Sequence, residues 1–341
     1  MNSTDARFGK FSLVQEMLQT PAIIGRFDFA QADDTARLIH QSGRLLLTGE
    51  GSSRIFPAKN MMVELLRLGA PLAVFTDGAR QAHEYCLADT CVCGASNSGQ
   101  TKELISLFTR LAAAGHQKRF GLTANPGTRL ESVSNRCYTL ICGKEQACAA
   151  TKSVVEQALF YRSLLLPLES AAVSPMLRNQ QEAAAKAQET LAADLDPQIV
   201  EAFAQAPVIY FAGRSDGVAE ELTLKTNEIT RKKSDYLEGT YAVHGIEEVM
   251  NPGEVVIVVD PFPAEAEKFK QVLVDGVGMK VVALAAEPTI FPTIRLPKVE
   301  GYNTILQLLA GWNLLVHVGV ALGINLDKPQ RARKIGNEFV G

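Results

Sequence analysis

At 341 residues, 47% apolar, 21% charged and with a net charge of −3, the chain has the profile of a globular protein long enough for about two cored domains. The slightly acidic balance excludes the polybasic footprint of a nucleic-acid binder. The opening Met-Asn-Ser-Thr-Asp-Ala-Arg lacks the apolar core of a signal peptide and no segment reads as long enough to cross a membrane, so a cytoplasmic protein with no nucleic-acid and no membrane partner is expected.

Residues 1–35 read as an arm of one or two short helices whose apolar positions are Phe11, Leu13, Val14, Met17 and Leu18. Such an arm packs across a domain or a partner rather than folding alone. Strands and helices then alternate. Arg44–Thr48 is a strand, followed by Gly49-Glu50-Gly51-Ser52-Ser53 and a helix through Ala58, Met61, Met62, Leu65 and Leu66. Further strands are expected at Pro71–Phe75, Thr90–Ala95, Phe120–Thr123 and Cys137–Cys142, and a helix from near Ala149 carries Val154, Val155, Ala158, Leu159 and Tyr161. The six cysteines (86, 91, 93, 137, 142 and 148) lack paired C-x-x-C spacing. They read as small core residues in a reducing compartment, with no metal site and no cofactor implied; Cys91 and Cys93 share one buried strand face.

Residues 174–205, dominated by Gln, Glu, Ala and Lys, form a helical connector, and the alternation then starts again. Val208–Gly213 is a strand, a helix spans Glu220–Lys232, and Val255–Asp260 and Val281–Ala285 are strands on either side of a helix near Ala264–Val274. A last apolar helix, Ile305–Leu322, precedes a tail at 323–341. Near-continuous apolar strands alternating with helices argue for parallel sheets covered on both faces. Strand-Gly-x-x-Ser-helix opens both halves, as Thr48-Gly-Glu-Gly-Ser-Ser and Ala212-Gly-Arg-Ser, which suggests internal duplication. The expected fold is therefore α/β: two doubly wound parallel-sheet domains of three α/β/α layers, at 36–173 and 206–322.

The most chemically pointed stretch follows the Thr90–Ala95 strand. Ser96-Asn97-Ser98-Gly99-Gln100-Thr101 offers three hydroxyls and several backbone N–H groups at the start of a helix with Leu104, Ile105, Leu107, Phe108 and Leu111 on one face. Gly99 permits positive φ, and the first helical turn carries partial positive charge, so a tetrahedral anion fits there. An ordinary Ser/Thr N-cap fits the same residues. Local chemistry leaves both open.

Six ordered motifs together resemble the sugar isomerase (SIS) family in its double-domain form, the arrangement of the isomerase half of glucosamine-6-phosphate synthase. They are Gly49-Glu-Gly-Ser52-Ser53; Ser96-Asn97-Ser98-Gly-Gln-Thr101; Glu145-Gln-Ala-Cys148-Ala149-Ala-Thr151-Lys152; Glu221-Leu-Thr-Leu-Lys225-Thr-Asn-Glu228; His244-Gly245; and Asp327-Lys-Pro329-Gln-Arg-Ala-Arg-Lys334. The resemblance implies that Ser96, Ser98 and Thr101, with Ser52 and Ser53, bind the anionic end of a sugar, with Asn97 in the same substrate-binding loop; Glu50 adds a carboxylate near the crevice, suited to sugar hydroxyls or an amine. It also implies that the segment around Cys148 and Ala149 approaches the sugar. Three catalytic residues are implied: Glu228 as the base moving a proton between C1 and C2, His244 as the acid–base partner in ring opening, and Lys334 as the amine that opens the ring and forms an imine. His244, sixteen residues after Glu228, is supplied by the partner subunit in such enzymes, implying a homodimer with a shared active site and the tail lying over it.

Three departures bear on the substrate. Tyr241 and Ile246 stand where many relatives have an acidic residue and a proline, Glu50 replaces a small residue or cysteine, and Asn97 replaces glutamine. The expected function is aldose–ketose isomerisation of an anionic hexose, with a sulfonate able to stand in for phosphate. Alternatives are an amino-sugar phosphate deaminase, a fructosamine-phosphate deglycase, or a sugar-phosphate-sensing module. Met1 is not followed by the catalytic Cys of a glutaminase, so glutamine nitrogen transfer within this chain is not expected.

Overall fold

Among the described residues, ten strands form two parallel sheets of five strands each. The structure, a computed structural model, describes residues 1–168, 174–331 and 338–339. It divides into two units: Ala22–Gln180 with Gln330–Gly341, and Met1–Pro21 with Gln181–Pro329.

In the first-sheet unit the strands are β1 (Arg44–Gly49), β2 (Ala73–Gly78), β3 (Cys91–Ala95), β4 (Arg119–Thr123) and β5 (Arg136–Thr139), in the order β2-β1-β3-β4-β5. The order reverses between β1 and β3, which pair in register from Leu45↔Cys91 to Thr48↔Gly94. That is the topological switch point, where open α/β sheets leave a crevice beyond the strand carboxyl ends. Cys91 and Cys93 are buried in β3 as the alternation requires. The helix Lys102–Ala113 packs its stripe of Leu104, Leu107, Phe108 and Leu111 against Leu46 and Val92 of the sheet.

β5 is shorter than its apolar run suggests. Leu140 N–H still donates to Thr123 O (2.8 Å), but the next two N–H groups, of Ile141 and Cys142, donate to the Glu156 carboxylate at 2.6 and 2.7 Å. A side chain on the following helix, Lys152–Ser163, thus takes over from the ladder and turns the chain. That helix starts at Lys152 rather than near Ala149.

The second-sheet unit holds β6 (Val208–Gly213), β7 (Lys233–Glu238), β8 (Val255–Val259), β9 (Lys280–Ala285) and β10 (Thr293–Arg295), in the order β10-β9-β8-β6-β7. Counted from its own first strand, this is the same order as the first sheet, with the switch point between β6 and β8. β7 and β10 escaped the sequence reading because one is polar and the other very short. Lys233-Ser-Asp-Tyr-Leu-Glu238 buries only Leu237, and β10 has three residues. The arm contributes Leu13, Val14 and Met17, all fully buried, and Asp327 accepts from the N–H groups of Ser12 and Leu13 at 2.9 Å, capping the helix Ser12–Arg26.

One expectation fails here. The helix Asn303–Ala321 has 19 residues and is apolar enough to span a bilayer by length and composition. It serves as a core helix, with 83% of its apolar window buried inside the structure. An apolar helix of this kind reads alike in sequence whether protein or lipid surrounds it.

Candidate functional site

The loop after β3 has the strand–turn–helix form expected, and its hydroxyls are not spent on capping. Thr101 occupies the N-cap of Lys102–Ala113, yet its side chain makes no cap hydrogen bond. Its Oγ1 pairs instead with Ser96 Oγ at 2.7 Å, and Ser98 Oγ accepts from Gln100 N–H at 3.2 Å. The first-turn N–H groups of the helix therefore lack the side-chain oxygen that an ordinary cap supplies. Gly99 takes φ +66°, and a Cβ there would lie 2.2 Å from Thr128 Oγ1, so the turn needs glycine on both counts. Ser52 and Ser53 follow β1, the strand paired to β3, so both serine loops lie at the switch point.

Two carboxylates shape this region. Glu145, 1% exposed, accepts from Asn97 Nδ2 (2.9 Å), Thr151 N–H (2.7 Å) and Ser153 Oγ (2.6 Å). It ties the serine loop to the first turn of Lys152–Ser163, where a negative charge is favoured. Asn97 is further fixed through its carbonyl, which accepts from Asn125 Nδ2 at 2.7 Å. Glu50 turns toward β2, where its Oε1 accepts from Ala79 N–H at 2.9 Å. Desolvation raises its pKa, opposed by backbone N–H groups of Ala79 and Arg80. Ala149 is buried and Cys148 half-buried, between Glu145 and that helix. Glu338 pairs antiparallel with Thr101, and Phe339 N–H donates to Gln100 O at 2.8 Å, so these two residues lie along the serine loop. Lys334 lies outside the described residues.

The second-sheet unit holds the other two catalytic candidates. On the helix Val218–Thr230, Lys225 Nζ sits 2.7 Å from Glu228 Oε2 and 3.3 Å from Glu221 Oε1. Both Lys225 and Glu221 are fully buried, while the Glu228 side chain keeps 32% of its surface. Burial works against the Lys225 charge, but Glu228 and Glu221 outweigh it and raise its pKa. Lys225 is the functional candidate that sequence reasoning passed over. Its signal was present as carboxylates four residues before and three after a lysine, a spacing that puts all three on one helix face.

His244 is exposed, follows β7, and accepts from Lys268 Nζ on Nε2 at 3.3 Å. The structure does not bring it to Glu228. Glu228 lies ten residues into its helix, about 15 Å from the end that starts beyond β6 at ~1.5 Å per residue. It therefore stands near the end of the sheet where strands begin, and His244 stands where they finish. Among the described residues, no group of three or more His, Cys, Asp or Glu could hold a metal ion.

Residues 38–167 match the SIS domain family model. Both serine loops, Glu145 and the start of its helix fall inside the matched SIS segment. The chain is also 24% identical over 271 residues to glutamine–fructose-6-phosphate aminotransferase (isomerizing) of Leifsonia xyli subsp. xyli, covering 72% of this chain and 43% of that protein. It thus spans less than half the length of this curated relative. Among solved structures, the C-terminal domain of glucosamine-fructose-6-phosphate aminotransferase from Francisella tularensis superposes with a TM-score of 0.76 at 18% identity, covering 94% of this chain and 98% of that one. Tagatose-6-phosphate ketose/aldose isomerase from Escherichia coli gives 0.75 at 17% identity, covering 97% and 100%. Glucosamine-6-phosphate deaminase from Thermotoga maritima gives 0.72 at 17%, covering 95% and 98%. The fold of these structures therefore extends over nearly the whole chain, beyond the matched segment.

Proposed function

We propose that this protein is an aldose–ketose isomerase of an anionic hexose, most simply a sugar phosphate. The observation that carries the reading is the serine loop at the switch point, whose helix N-terminus lacks a side-chain cap. Ser96, Ser98 and Thr101, with Ser52 and Ser53 from the neighbouring loop, take the anionic end. Asn97 is the linchpin that transmits the rigidity of Glu145 to the loop.

The chemistry falls to Glu228. Lys225 holds Oε2, and Oε1 makes no hydrogen bond among the described residues, leaving it to accept the C2 proton and return it to C1 through an enediol. His244 relays a proton at the ring oxygen or O1, and Lys334 attacks the open-chain carbonyl to form an imine. The separation of Glu228 and His244 within one chain supports a homodimer in which His244 comes from the second copy. The shared strand order supports descent of the two halves by internal duplication. The protein works in the cytoplasm without a cofactor.

Incubating the protein with hexose 6-phosphates and 6-sulfo hexoses in deuterated water tests the reading. Deuterium should enter at C1 or C2, and Glu228→Gln should slow entry by about 10²–10⁴-fold while the protein stays folded. No exchange with any of these sugars would sink the isomerase. The likeness to a glucosamine-6-phosphate deaminase carries the second reading, and ammonia release from hexosamine 6-phosphates in the same samples would favour it.

A further inference from the structure

The second-sheet unit has a crevice of its own. A cavity of about 470 Å³ opens beyond the carboxyl ends of β6, β8, β9 and β10, bounded by Arg214, Asp260, Glu287, Lys298, Asn303 and Gln307. Its volume lies in the range of small-molecule pockets, and its place is where doubly wound sheets take ligands. It belongs wholly to this unit and contains neither the serine loops nor Glu228.

Its walls are built rather than incidental. Arg214 is fixed from two sides. Its Nη1 lies 2.6 Å from Asp260 Oδ2 and also donates to Asp260 O, and its guanidinium stacks 4.3 Å from the Phe262 ring centre. Asn303 Oδ1 is occupied by Val299 N–H at 2.8 Å, which orients its amide. Gln307, on the first turns of Asn303–Ala321, is only 5% exposed, and its buried Oε1 has no hydrogen-bond partner among the described residues. A buried carbonyl oxygen in that state is destabilising because it has lost water without gaining a partner, and a ligand donor in the cavity would relieve it.

We propose that this cavity is a second ligand site, distinct from the serine loop, that binds a neutral sugar or polyol. Charge selects the class. Two cations (Arg214, Lys298) face two carboxylates (Asp260, Glu287), so the wall carries no net charge, and Arg214 is already paired with Asp260. The wall carries both acceptors and donors, with Gln307 Oε1 and Asp260 accepting and Lys298 and the Asn303 amide donating. Hydroxyl groups, which donate and accept at once, satisfy such a wall. A flat nucleobase finds no open aromatic face, since Arg214 covers Phe262.

The full chain is titrated with D-glucose, D-fructose, sorbitol and maltose by saturation-transfer NMR and by thermal shift, with glucose 6-phosphate as the anionic comparator. At least one neutral sugar should bind saturably. Gln307→Leu, which keeps volume but removes the carbonyl, and Asp260→Asn, which tolerates the positive φ at that position, should each weaken binding by about tenfold or more. Ser98→Ala should leave it unchanged. Absence of binding by all four sugars, a smaller loss in either folded variant, loss of binding in Ser98→Ala, or stronger binding of glucose 6-phosphate at the Gln307-dependent site would overturn the proposal. None of these readouts involves turnover, so the isomerase reading and this one fail separately.

Discussion

Lys225 shows how a single buried charge can set a site's geometry. Its ammonium bridges Glu221 at 3.3 Å and Glu228 at 2.7 Å with no side-chain surface in water. Replacing it by Met leaves a carboxylate in the interior without that cation, so Lys225→Met should cost about 3–5 kcal/mol in chemical denaturation. An unchanged unfolding midpoint would show that the bridge contributes nothing. Glu156 makes a second residue-scale case, this time with pH. Desolvation raises its pKa above 4.5, opposed by the Ile141 and Cys142 N–H groups. A carboxyl raised in the folded state holds more protons there than in the unfolded chain. Its contribution to stability therefore falls as pH climbs from 4.5 through the higher folded value. Glu156→Gln removes that slope, so the melting temperature of the variant relative to the parent should rise across this window and level off above it. A difference flat from pH 4 to pH 8 would contradict the burial argument.

At the scale of elements, packing shows what sequence pattern conveys and what it omits. The helices Val218–Thr230 and Asn303–Ala321 meet at Gly311, where an added Cβ would lie 2.3 Å from Leu222 Cδ2 and 2.5 Å from Cδ1. Alanine gains about 1 kcal/mol of helix propensity over glycine, yet here overpacking should win by about 1–3 kcal/mol, lowering the thermal midpoint of Gly311→Ala. A raised midpoint would mean that the helices can part. Nothing in the local sequence announces that contact, because Gly311 sits in a run that reads as uniformly apolar. The strands that were legible, such as Val255–Val259 and Cys91–Ala95, are buried along their whole length, and burial is what composition reports. β7 is polar and β10 very short, so neither carries such a run. The strand–turn–helix form of the serine loop was legible because it depends on neighbours in sequence. The Glu145 clamp on Asn97 was not, since it joins residues 48 apart.

For the whole molecule, the decisive relation is between Glu228 and His244. A helix antiparallel to its strand carries Glu228 back toward the strand starts, while β7 carries the chain forward again before His244. The helix rise alone sets Glu228 about 15 Å back from the sheet end beyond which His244 follows. If both residues act on one sugar, two copies of the chain must meet, and a two-fold dimer then holds two identical shared sites. Glu228→Gln and His244→Ala should each be inactive alone. When the two are mixed one to one and their subunits exchanged, half of the dimers carry one intact site, which predicts recovery of about a quarter of the parent activity. Deuterium incorporation into the sugar measures it, and native mass spectrometry of isotope-labelled subunits verifies that exchange has occurred. Mixed dimers with no recovered activity would show that His244 does not act in trans, and Glu228 would then need a different acid–base partner from its own surroundings.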